Sequence, residues 1–174
     1  MTTAFAKLVL AASLLGQTAA DKNSKRVEEV KRQAELTARS VLRGDYETLA
    51  KMTYPGVVAA MGGREAMIEA TRKAMTEMKG QGFRVLTYKV AAPSSFVAEG
   101  GTTFTVLPSE IEMSAPGGKL VVKSYLIGVS ADDGAHWTFI DGSGKAEERK
   151  KIVPDLPAAL KLPRPQQPQY IKGS

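Results

Sequence analysis

The chain has 174 residues, 43% of them hydrophobic and 24% charged, which suits one globular domain with its own core. Its formal net charge is +6, yet Lys and Arg are interleaved with Glu along the whole length and no aromatic-rich basic stripe accompanies them. The charge therefore reads as a solvated surface and not as a nucleic-acid footprint, and the absence of cysteine excludes a disulfide framework, a thiolate metal site and a lipid-modified cysteine.

The first twenty residues, MTTAFAKLVLAASLLGQTAA, have the layout of a cleavable export signal. Lys7 supplies the positive start, Leu8 to Gly16 is mainly apolar, and the small residues Thr18 and Ala20 precede Asp21. An apolar stretch of this length is too short to cross a bilayer, which takes roughly twenty residues. The expectation is a soluble product, periplasmic or secreted, with no membrane span; Lys7 is the only charge in the leader, so +5 remains after its removal.

From Ser24 to Arg43 the apolar positions Val27, Val30, Ala34, Ala38 and Val41 step by three or four, which predicts one buried face of a helix. Glu28 and Glu29 fall in its first turn, where the helix dipole favours negative charge. Gly44 is expected to close it as a left-handed cap, and Asp45 to cap a short helix around Tyr46 to Lys51. Pro55 stops that helix, and GVVAAM (Gly56 to Met61) reads as a brief strand. After Gly62-Gly63 a third helix is expected, with Met67, Ala70, Ala74 and Met78 as its inner stripe and Gly80 at its end.

Beyond Gly82 the period changes to two. FRVLTYKV alternates Phe83, Val85 and Thr87 against Arg84, Leu86 and Tyr88. Ser95 to Leu107 and Ser109 to Ser114 read as extended chain interrupted by Gly100-Gly101 and Pro108. APGG makes a tight turn, KLVVKSYLIGVS the longest strand and HWTFID the last. Three helices followed by antiparallel strands predict a single α+β domain over residues 21–144, the sheet curving over the helices. Residues 145–174 are expected to hold a short helix and then extended, proline-rich chain, since five of the nine prolines lie between Pro154 and Pro168. Ile152, Val153, Leu156, Leu160 and Leu162 suggest that part of this tail lies against the domain, and Leu156 and Leu160 could plug a cavity there.

The stretches VLRGDYETLAKMTYPGVV, GGREAMIEATRKAM and SYLIGVSADDGAHWTFIDG, in this order, resemble the NTF2-like superfamily, which includes SnoaL-like and ketosteroid-isomerase-like proteins. The resemblance covers Ser24 to about Gly144. It implies a cone-shaped α+β fold with a pocket between sheet and helices, and a habit of dimerising through the sheet. It assigns no reaction, because the superfamily hosts isomerases, hydrolases, dehydratases and non-enzymatic binders.

SADDGAHW (Ser130 to Trp137) has the S-x-D-x-G-x-x-W spacing and resembles an Asp-box hairpin, with a single copy and hence no propeller. Its chemistry is that of a turn: Asp132 accepts backbone N–H groups, Gly134 takes a conformation closed to other residues, and Trp137 packs where the strand resumes. The oxygen ligands of an EF-hand loop are missing. His136 is the only histidine, so a zinc site would need carboxylates for its other ligands; a Ser-His-Asp triad is formally possible but no G-x-S-x-G elbow accompanies it, and a solvent-facing position is expected for His136.

The pocket candidates are Tyr54, Met61, Met67, Phe104, Tyr125, Trp137 and Asp141. Asp141 is the one catalytic candidate. It shares strand parity with Trp137 and Phe139, and a carboxyl among apolar neighbours can act as general base or acid. DGSG is equally ordinary turn chemistry, with Asp141 satisfying its own loop. Arg64 could add a hydrogen bond, and the Gly-Gly-Arg start of the third helix could receive an anion. No cofactor motif is present: DGSGKA lacks the spacing of a phosphate loop. The leading expectation is a non-enzymatic binder of a small apolar molecule or a protein partner. The alternatives are an isomerase- or hydrolase-type enzyme using Asp141 with Tyr54 or Tyr125, and a homodimerising interaction module.

Overall fold

In the computed structural model, which describes residues 3–164 and 166–173, four helices precede the first five strands of a six-stranded antiparallel sheet, and a fifth helix lies in the chain between the fifth strand and the sixth. Met1 and Thr2 of the expected leader, and Pro165 of the proline-rich tail, lie outside the described residues. Helix α1 (Thr3–Arg43) continues N-terminally past Ser24, where the expected helix began; no proline precedes Pro55 to stop it. No described helix is long and apolar enough to cross a membrane. Val30, Ala34 and Ala38 are fully buried against the sheet, as the spacing required. Gln33, Thr37 and Ser40 are buried beside them, and the Thr37 and Ser40 hydroxyls donate back to helix carbonyls at Gln33 and Thr37.

The C-terminus of α1 is a Schellman cap. Gly44 (φ +68°) donates to the Val41 carbonyl at 3.2 Å and Asp45 to the Ser40 carbonyl at 2.9 Å. Asp45 then turns to the next helix, α2 (Tyr46–Met52), where its carboxylate accepts the Thr48 N–H at 3.0 Å.

Two sequence expectations fail in the next stretch. GVVAAM is helical, α3 (Pro55–Ala60), and not a strand. Proline at the first helical position has no N–H to lose and a preset φ, and the Tyr54 carbonyl accepts from Val57 and Val58, so this nucleus outweighs the β preference of the paired valines. In α4 (Arg64–Gly80) the inner stripe is Met67, Thr71, Met75 and Met78, with Ala70 and Ala74 exposed. The face is rotated by one residue from the expected one because Met75 has far more apolar surface to bury than either alanine.

The sheet is built on a long hairpin of β3 (Thr102–Ala115) and β4 (Gly118–Ser130) turned at Pro116-Gly117. Strands β1 (Arg84–Val90) and β2 (Phe96–Glu99) share the outer edge of β3. Strands β5 (Thr138–Asp141) and β6 (Gln169–Lys172) share the outer edge of β4. Pro108 does not break β3. It falls between Ser109, which pairs with Val90, and Thr105, which pairs with Phe96, so its missing N–H faces a gap between two edge strands.

The two faces of the sheet are covered differently. Leu107, Leu126, Trp137 and Phe139 face α1. Phe104, Tyr125, Ile127, Val129 and Ile140 face the other way and are covered by the tail, through α5 (Ala146–Ile152), Val153 and Leu160. The tail thus lies on the domain, on the face opposite α1, where α5 also meets α3, and it does not fill the space between α1 and the sheet.

Candidate functional site

A cavity of about 410 Å³ lies between the helices and the sheet. The helices contribute Thr37, Val41, Leu49 and Val57 together with three methionines of α4, Met67, Met75 and Met78. The sheet contributes Val85, Tyr88, Ile111, Met113, Val122, Leu126, Phe139 and Asp141. Four of the chain's seven methionines therefore line one space, and their unbranched, polarisable side chains make a wall that adapts to its contents. The volume lies within the range of small-molecule sites.

The polar groups in this lining are few. Thr37 and Thr53 hydroxyls are taken up by helix carbonyls at Gln33 and Leu49. That leaves the Tyr88 phenol and the Asp141 carboxylate. Burial pushes the Tyr88 phenol well above its usual range, the negative charge of Asp141 pushes it further, and the Ser109 hydroxyl offsets part of this. Tyr88 is therefore a protonated hydrogen-bond donor at any physiological pH. Asp141 is solvent-exposed at the rim, and one carboxylate oxygen accepts the Ser143 N–H at 2.7 Å. Asp141 thus satisfies its own turn and also lines the cavity.

Tyr88 escaped the sequence reading because strict alternation puts Val85 and Tyr88 on opposite faces. Val85 pairs with Met113 and Thr87 with Glu112, so Leu86 is an extra residue. This bulge resets the parity and brings both Val85 and Tyr88 to the helix side, leaving Leu86 half exposed.

Of the seven pocket candidates, Met67 and Asp141 line the cavity. Phe104 and Tyr125 are buried on the tail side of the sheet, and Tyr54 packs there too. Met61 is exposed at the end of α3. Trp137 is on the helix side but fills the core at the far end of the sheet, where a Cβ on Gly128 would come within 3.2 Å of its ring. The signals that could have found the missed lining were the i, i+4, i+8 series Met67, Thr71, Met75 and the odd-numbered apolar run Leu107, Ile111, Met113.

The Asp-box-like hairpin is held by hydrogen bonds of its own. Ser130 Oγ lies 2.8 Å from an Asp132 oxygen and accepts the Gly134 N–H at 2.9 Å; Asp132 accepts the His136 N–H at 2.9 Å. The Trp137 indole N–H donates to the Gly134 carbonyl at 2.9 Å. His136 is exposed, with Nδ1 at 2.5 Å from Asp132. Helix α1 clamps the loop from outside: Lys22 and Arg26 pair with Asp133, whose φ is +59°, and the Arg26 guanidinium also lies 5.3 Å from the Phe96 ring centre. The Ser130 hydroxyl, the Asp132 carboxylate and His136 Nδ1 are all engaged in holding this loop. Comparison with family models, characterised proteins and solved structures finds no match for the chain.

Proposed function

We propose that the chain is an exported NTF2-like domain whose cavity binds a small, mainly apolar molecule, with Tyr88 donating a hydrogen bond to a polar group of the ligand. The single observation that supports this most is the 410 Å³ space lined by Met67, Met75, Met78 and Met113 with so few polar groups. Export is consistent with the contacts of α1 described above. Cleavage before Asp21 leaves the pairings of Lys22, Arg26 and Gln33 with the hairpin intact.

The test is saturable binding of a neutral, apolar fluorophore that brightens in dry surroundings. The folded protein should bind it with one-site saturation, Val122→Trp should abolish that signal by filling the cavity, and Leu86→Ser on the outer face should not change it. A folded chain that shows no saturable binding rejects the proposal.

A second reading is favoured by one observation, the presence of Tyr88 and Asp141 in the same lining. An isomerase-type enzyme would use Asp141 as the base and Tyr88 as the donor to the developing oxyanion. Asp141→Asn separates the two. It abolishes turnover in the second reading and leaves ligand affinity nearly unchanged in the first.

A further inference from the structure

A surface pocket of about 340 Å³ adjoins the cavity, and Val41, Met75, Met78 and Val85 belong to the walls of both. Its rim carries Arg43, the last residue of α1, Lys79 in the last turn of α4, and Arg84, the first residue of β1. All three are exposed. Among the described residues none of them has an acid at salt-bridge distance, whereas Arg26, Arg32, Arg64, Arg72 and Lys119 each have one. The carboxylate nearest Arg43 in sequence, Asp45, is engaged in capping Thr48. Helix C-termini attract cations, which accounts for Arg43 and Lys79 taken singly. It does not account for Arg84 on a strand, nor for the three meeting around one opening beside an apolar space.

We infer that the ligand is a single-chain anionic amphiphile, its carboxylate or phosphate head held by Arg43, Lys79 and Arg84 and its apolar chain among Met75, Met78, Met113 and Val122. The inference rests on the cavity reading above and adds the charge and direction of the ligand. Arginine suits either head because its planar fork matches two oxygens at once. Asp141 lines the cavity but not the basic pocket, so the reverse orientation would bring two negative charges together.

The experiment displaces the bound neutral fluorophore from the full-length chain with dodecanoate, dodecyl phosphate or dodecanol at low salt. One anion or both should displace it at a concentration about tenfold below that of the alcohol, and the gap should narrow as salt screens the rim. The order of the two anions identifies the head. The combined variant Arg43→Gln, Lys79→Gln, Arg84→Gln should lose the preference and keep its affinity for dodecanol. Equal displacement by all three compounds, or a preference that survives in the variant, overturns the charged-head inference and leaves the apolar cavity standing. Failure of the fluorophore and of every amphiphile to bind removes the cavity reading with it.

Discussion

Gln33 and Trp137 are joined by a hydrogen bond of 2.8 Å from the Trp137 backbone N–H to the Gln33 side-chain oxygen, which ties the C-terminal half of the first helix to the residue that leads into β5. The same amide donates to the Ala135 carbonyl at 2.9 Å, so one buried side chain satisfies both partners of a loop that reaches it from 102 residues away.

Gln33→Ala should therefore cost about 2–4 kcal/mol, because it leaves a buried N–H and a carbonyl without partners. Denaturant unfolding of the variant and the parent measures this. A loss below about 0.5 kcal/mol, the level of an ordinary surface substitution, would mean that the hairpin does not depend on the clamp.

Tyr88 sets an alkaline limit. Its phenol is raised above the ordinary value of 10.0 in the folded chain by burial and by Asp141, so the unfolded chain releases that proton first. The stability it contributes is complete below pH 10 and is lost as pH rises through the folded value. Tyr88→Phe should flatten the decline of the unfolding free energy above that pH. It should also weaken a ligand with a polar acceptor by about three- to tenfold while leaving a purely apolar probe unaffected.

The hairpin and the first helix set an acid limit. Glu29 is lowered from 4.5 to about 2, mainly by hydrogen bonds from Arg32 and Gln33. Asp132 is held well below its ordinary value by the His136 backbone N–H and ring and by Ser130. Depressed carboxyl groups contribute stability above their unfolded values and lose it as pH falls through the folded ones, so the chain should weaken progressively below about pH 4. Asp132→Asn keeps an oxygen for the His136 N–H and removes one titration. Its thermal midpoint should fall less steeply over that range than the parent's, and an identical slope would assign the acid sensitivity elsewhere.

The tail should behave as a cover for the sheet. Truncation after Lys151 exposes Phe104, Tyr125, Ile127 and Val129 and removes Val153 and Leu160, which are 2% and 7% exposed. The loss of those two side chains alone amounts to roughly 3–6 kcal/mol. The truncated chain should elute larger on size exclusion than the full-length one as bared sheets associate. Equal elution volumes would rule out both the covering role and dimerisation through this face.

Much of this molecule could be read from local chemistry. The period of three or four in Val30, Ala34 and Ala38 fixes a buried helix face, Gly44-Asp45 fixes a helix end and the next start, and Ser130, Asp132 and Gly134 fix a hairpin, because each depends on neighbours a few residues away. Helices followed by antiparallel strands in one α+β domain follow from the same signals. Membership of the cavity does not, because it depends on which turn of α4 faces the sheet and on a single extra residue in β1. Leu86 carries no sequence mark of a bulge, yet it moves Tyr88 from one face of the sheet to the other. The two sides of the sheet are likewise alike in sequence, both strings of alternating apolar residues, and only packing assigned α1 to one and the tail to the other. Periodicity states that a face is buried; what buries it is settled by partners distant in the chain.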